Sequence, residues 1–194
     1  MHISEGVLSA PVLVAGCVLA AGGLAAGLKK TPNEKLAMTA MVAAALFLAS
    51  LVHVPLGPTS IHLTLLGLAG IVLGWSVFPA LFIALLLQGL LFQFGGLLSL
   101  GVNTVVMGVA ALAGRLVFRA ISGWNRPCGA FAGGFCAVIA GSILVAAALS
   151  LSDMELKSTA ALLFAANLPL AAVEGVVTLF MVTFIAKALP DYVS

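Results

Sequence analysis

The chain predicts an all-α fold: a polytopic membrane bundle of about seven helices, with its N-terminus outside, its C-terminus cytoplasmic and one domain over residues 1–194. Three observations lead there. The sequence is 63% hydrophobic and 7% charged, with a mean hydropathy of +1.28, whereas a soluble domain carries roughly 25% charged residues. The apolar runs are long and continuous, rich in Leu, Ala and Val, without the alternation over about 10 residues that barrel strands require. Because lipid admits only helices and closed barrels, the spans are helices. The third observation is the placement of charge, which depends on the elements.

Seven apolar segments can be read: Val7–Leu28, Leu36–Val52, His62–Gly74, Val77–Phe94, Leu100–Phe118, Gly129–Leu151 and Ala160–Ala188. A typical span needs about 20 residues, so the third is short. It is separated from the fourth only by Gly74-Trp75-Ser76 and Pro79, a turn signal inside an uncharged stretch. With seven spans, the connections on one side hold Lys29, Lys30, Lys35, Arg115, Arg119, Arg126 and Lys187, and the other side holds Lys157 beside Asp153 and Glu155. The positive-inside rule makes the basic side cytoplasmic. Trp75, Trp124 and Tyr192 fall near span ends and read as interface anchors. Small residues within the helices, among them Gly67, Gly70 and Gly134, read as close-packing positions.

The composition also excludes several functions. A net charge of +2 with no basic patch argues against nucleic acid as a partner. Cys17, Cys128 and Cys136 form no CxxC pair and read as small buried hydrophobes. No HExxH motif marks an intramembrane zinc enzyme, so no enzymatic activity is expected, and no GxxxxGK[ST] loop is available to hydrolyse ATP. A self-sufficient proton-coupled carrier or channel is the alternative class. It needs polar residues continuing across the bilayer, and Glu174 is nearly alone at depth. Glu174 reads either as a conformational coupler or as a polar brace, with Asn167 as the candidate partner and Pro169 between them.

The opening MHISEGVLSA carries the chemistry. It lacks the basic segment of a cleavable signal peptide, so the terminus is expected to persist. Initiator methionine is normally trimmed only before small residues, so Met1 is expected to keep a free amine ahead of His2. That amine, the His2 amide nitrogen and His2 Nδ1 can close five- and six-membered chelate rings in one plane. A second imidazole completes a square of four nitrogens, a geometry that suits Ni(II) or Cu(II) better than Zn. The amine must lose a proton to bind, its reference pKa being about 7.7–8.0, so binding releases protons and weakens in acid. His53 and His62 flank the loop VHVPLGPTSIH on the same external side; His62, opening the short third span, can be held at a fixed depth as the fourth donor, and His53 can stand behind the ligands or on the entry path. Glu5 can offset the ion's charge or anchor the N-terminal turn. Ser4 and Ser9 read as helix-start groups, and Gln88 and Gln93 as helix braces.

These residues resemble a known family. MHISEG is similar to the N-terminal signature MHI-x-[DE]-G of the substrate-binding membrane subunit (CbiM/NikM family) of energy-coupling-factor nickel and cobalt transporters. PTSIHL is similar to its G-T-S-x-H-L stretch, QGLLFQFGGLLSLGVN to its Q-x-L-x-F-x-x-G-G-L-x-x-L-G-x-N segment, and LPLAAVEG to its last span. The resemblance implies a helical bundle of the plasma (cytoplasmic or inner) membrane with the N-terminal stretch inserted into its centre. It implies that Ni(II) or Co(II) is the transported substrate, held by Met1, His2 and His62. Asn103 matches the family's Asn and is expected to hydrogen-bond near the metal or the N-terminal strand. His53 lies outside the core pattern and, with Glu5, is expected beside the ligands or on the ion's approach path. The implied partners are a transmembrane coupling subunit, two cytoplasmic ATPase subunits and, in some systems, a small extra membrane subunit.

Overall fold

The computed structural model describes residues 3–51, 53–56, 59–152 and 157–190. Met1, His2 and Tyr192, together with Asp153 and Glu155, lie outside the described residues. Among the described residues seven α-helices form, and all but the third follow the predicted segments closely: α1 (Ala10–Lys29), α2 (Leu36–Leu51), α3 (Leu66–Leu73), α4 (Val77–Phe92), α5 (Leu100–Ser122), α6 (Arg126–Ser152) and α7 (Lys157–Ala188). Local chemistry accounts for several boundaries. Pro11 lies in the first turn of α1 and Pro127 in that of α6, where the missing N–H has no intrahelical partner to lose. Asn125 Oδ1 accepts from the Cys128 N–H at 2.9 Å, capping α6. Ser9 occupies the N-cap position of α1 without a side-chain cap bond, so the helix-start role read for it is not played by its hydroxyl.

The third span departs from expectation. Instead of a helix beginning at His62, the chain forms an antiparallel hairpin of β1 (His53–Leu56) and β2 (Thr59–His62), with His53 in register opposite His62. Leu65 then adopts a left-handed conformation, φ 52°, that interrupts the backbone before α3 begins. Eight helical residues are about 12 Å long, under half of a hydrocarbon core of about 30 Å. All eight are buried. Six helical stretches among the described residues are long and apolar enough to cross a membrane, and Leu66–Phe92 counts as one of them. It is nevertheless folded back on itself. α3 descends alongside α5, with Gly70 against Ala111 and Gly74 against Arg115. α4 starts with Phe78 against Gly108 and returns until Gln88 borders the same cavity as His62 and Thr64. The 3₁₀ turn Gly74–Ser76 makes that reversal.

The core surrounds α3, with Leu66, Ile71, Leu81, Met107 and Ala110 in its central cluster. Two close approaches seat the half-helix. A Cβ on Gly70 would collide with the Ala111 carbonyl of α5, and one on Gly67 with the Gly134 backbone of α6. α6 and α7 form the most extensive pair. At the basic end, Lys30 Nζ lies 4.5 Å from the centre of the Trp75 ring, a cation–π geometry. Cys17 and Cys128 are exposed on the chain's surface and Cys136 is half-buried, so the reading of all three as buried hydrophobes does not hold.

Candidate metal centre

The first described residue is pinned into the bundle. Ile3 is 3% exposed and packs with Leu8, Val102, Val106, Val145 and Leu149. Asn103, itself buried, holds its backbone with two bonds. The Ile3 N–H donates to Asn103 Oδ1 at 3.0 Å, and Asn103 Nδ2 donates to the Ile3 carbonyl at 3.1 Å. A carboxamide offers one acceptor and a donor group side by side, which matches the two polar groups of one residue. Asn103 Nδ2 also donates to Ser99 Oγ at 3.2 Å, and Ser99 Oγ donates to the Gly95 carbonyl. The segment around Gly95, Gly96 and Ser99 therefore forms the seat of the N-terminal stretch. Glu5 lies at the rim of this seat, where its Oε1 accepts from the exposed Leu98 N–H at 3.2 Å. This contact ties Glu5 to the segment that follows α4.

Asn103→Ala strips the buried Ile3 backbone of both partners. Each orphaned group costs roughly 1–3 kcal/mol, so the variant should unfold at a clearly lower denaturant midpoint in detergent. An unchanged midpoint would show that the stretch is held by other contacts.

His62 ends β2 and is buried, 6% exposed. Its Nδ1 lies 3.3 Å from the Leu63 carbonyl. It borders a small cavity with Ser50, Thr64, Gln88 and Met107. Gln88 Oε1, also buried, has no hydrogen-bond partner among the described residues, so the helix-bracing role read for Gln88 is not made through that oxygen.

These two features meet on α5. Asn103, which holds Ile3, and Met107, which borders the His62 cavity, are four residues apart on one helix face. Such residues are about one turn, 5–6 Å, apart. The seat of Ile3 and the His62 cavity therefore share one face of α5. His53 opposes His62 along the hairpin ladder.

Two functional contacts escaped the sequence reading. Glu174 is fully buried, and its partner is not Asn167 but the chain just after His62. Thr64 N–H donates to Glu174 Oε1, as do Thr64 Oγ1 at 2.8 Å and the Leu65 N–H at 2.9 Å. Arg115, one of the basic residues read as topology determinants, donates from Nη1 to the Gly70 carbonyl at 3.2 Å and the Ile71 carbonyl at 2.6 Å. An ionisable group in a span was the available signal for Glu174. Backbone partners have no sequence signature.

Comparison with known proteins gives a consistent picture. Residues 2–192 match the family described as CbiM, cobalt uptake substrate-specific transmembrane region. A candidate metal transport protein of Haemophilus influenzae is 54% identical over 119 residues, covering 61% of this chain and 58% of that protein. A candidate fused nickel transport protein NikMN of Archaeoglobus fulgidus is 32% identical over 200 residues, covering 100% of this chain and 68% of that protein. The chain thus spans less than two thirds of the Haemophilus relative's length. A crystal structure of a truncated transition metal transporter superposes with a TM-score of 0.86 at 25% identity, covering 97% of this chain and 99% of that one.

Proposed function

This chain belongs to the CbiM family of multi-pass membrane proteins, and on that premise we propose that it is the substrate-capture subunit of an ATP-driven energy-coupling-factor importer for Ni(II) or Co(II). The ion is taken from outside the cell by the Met1 amine, the His2 amide and imidazole, and the His62 imidazole. The observation that carries this reading is the double hydrogen bond between Asn103 and Ile3, one helical turn from the cavity bordered by His62. It tethers the residue after His2 to the α5 face that also borders the His62 cavity, which supports a shared ligand set. In this assignment the Nδ1–H tautomer of His62 donates toward the Leu63 carbonyl, which makes Nε2 the ligating atom. Asn103 acts on the ligands indirectly, Glu5 secures the rim, and His53 lies across the hairpin from the ligating imidazole.

The membrane orientation in this reading places the N-terminus outside, because the basic residues gather at the other end. Import then depends on a separate transmembrane coupling subunit and two cytoplasmic ATPases, since this sequence has no phosphate-binding loop of its own. Their motion reorganises the bundle and releases the ion inward, with protonation of the amine and amidate favouring release. A reconstitution experiment tests this division of labour. Vesicles holding the chain alone should bind Ni(II) or Co(II) at the outer face and accumulate none inside. Vesicles holding the coupling subunit and the ATPases as well should accumulate the ion when ATP is supplied. Accumulation by the chain alone would establish the self-sufficient carrier instead.

A further inference from the structure

α3 is a half-helix capped at both ends by side chains from other helices. A helix leaves its first N–H groups and last carbonyls without intrahelical partners, and burial away from water makes each such group costly. Leu65, at the N-cap, has no side chain able to help. Glu174 of α7 takes that place, gathering the Thr64 N–H, the Thr64 hydroxyl and the Leu65 N–H on one oxygen. At the other end Arg115 of α5 donates to the Gly70 and Ile71 carbonyls. The order, an acidic side chain at the N-terminus and a basic one at the C-terminus, is the one the helix dipole favours. Eight residues form too short a helix to persist by themselves, so these caps and the glycine contacts define where α3 sits.

The N-terminal cap matters because of what precedes it. His62 is two residues before Thr64 and ends the hairpin ladder. Its backbone is therefore held on one side by β1 and on the other by the Glu174 cluster. The intervening bend includes Leu65 at φ 52°, a conformation that non-glycine residues seldom adopt. We propose that Glu174 is a positioning residue for metal capture. Its carboxylate fixes the Thr64–Leu65 bend and, through two residues of chain, sets the imidazole of His62 in the plane of the other nitrogens. This assignment rests on the capture reading above. It also separates the two oxygens of Glu174. Oε1 makes every hydrogen bond seen, and Oε2 has no partner among the described residues. A glutamine can therefore keep the three donors on its carbonyl oxygen while its amide nitrogen occupies a position that makes no bond now.

The test uses the full chain with its native start, purified in detergent and titrated with Ni(II) alone, with affinity and ligand-field absorption recorded together. Groups that orient a metal ligand from behind are typically worth tenfold to a hundredfold in affinity. Glu174→Ala should lose roughly that much, and at saturation its spectrum should match that of the His62→Ala complex, because the imidazole no longer reaches the plane. Glu174→Gln should stay within about threefold of the wild type and keep its spectrum. A folded Glu174→Ala that binds with wild-type affinity and spectrum overturns the proposal, and so does a Glu174→Gln as impaired as Glu174→Ala. If Glu174→Ala does not fold, Thr64→Val decides. It removes one donor at nearly constant volume, and it should weaken binding at least threefold with the same spectral change; unaltered binding overturns the proposal. A wild type that binds no Ni(II), or a His62→Ala that binds like the wild type, points instead to failure of the capture reading.

Discussion

His62→Ala should lose more than the tenfold to hundredfold in Ni(II) or Co(II) affinity that a group behind a ligand is worth, while the protein still folds. The loss is larger because a donor atom itself disappears. Three nitrogens from Met1 and His2 remain, and water takes the fourth position. An imidazole is a stronger in-plane donor than water, so the ligand-field band of the Ni(II) complex should move to lower energy. The fold should survive because the backbone pairing of β1 with β2 and the bonds of Thr64 and Leu65 to Glu174 remain when the imidazole is removed. The side chain borders a cavity already, and its removal enlarges that cavity without uncapping α3. Isothermal titration with matched thermal unfolding curves checks both halves. A variant that folds and binds like the wild type would remove His62 from the ligand set.

Much of the architecture was legible because membrane helices announce themselves by length and apolarity. α2, α4 and α5 begin where the segments predict, and α7 ends at Ala188 as read. The candidate site is read from a different signal: the residue types at the chain start and around His62 and Asn103 match a chemically specific pattern. What escaped prediction depended on contacts distant in sequence. The run His62–Gly74 carries no charge, and nothing in its periodicity separates its first four, non-helical residues from the eight helical ones that follow. The break exists because Glu174, 109 residues beyond Leu65, offers an acceptor to the backbone there. Arg115 was legible as a positive charge near a span end. Its bonds to Gly70 and Ile71 depend on the reversal at Gly74–Ser76, which brings the short helix down beside α5. Hairpin pairing was equally hidden. Pro55, Gly57 and Pro58 mark a stiff loop, but the His53–His62 register arises from backbone pairing.

The most direct measurement compares the native chain with one whose Met1 amine is acetylated. Acetylation converts the terminal amine into an amide and supplies no new amine, so the five-membered ring between that amine and the His2 amide cannot form. Asn103 still finds the Ile3 backbone, so the fold and its unfolding midpoint should stay as they are. Titrated with Ni(II) at pH 8, the native chain should bind one ion tightly with release of protons, and the acetylated chain should show no tight binding. Equal affinity, stoichiometry and proton release from the two proteins would contradict capture by the N-terminal amine.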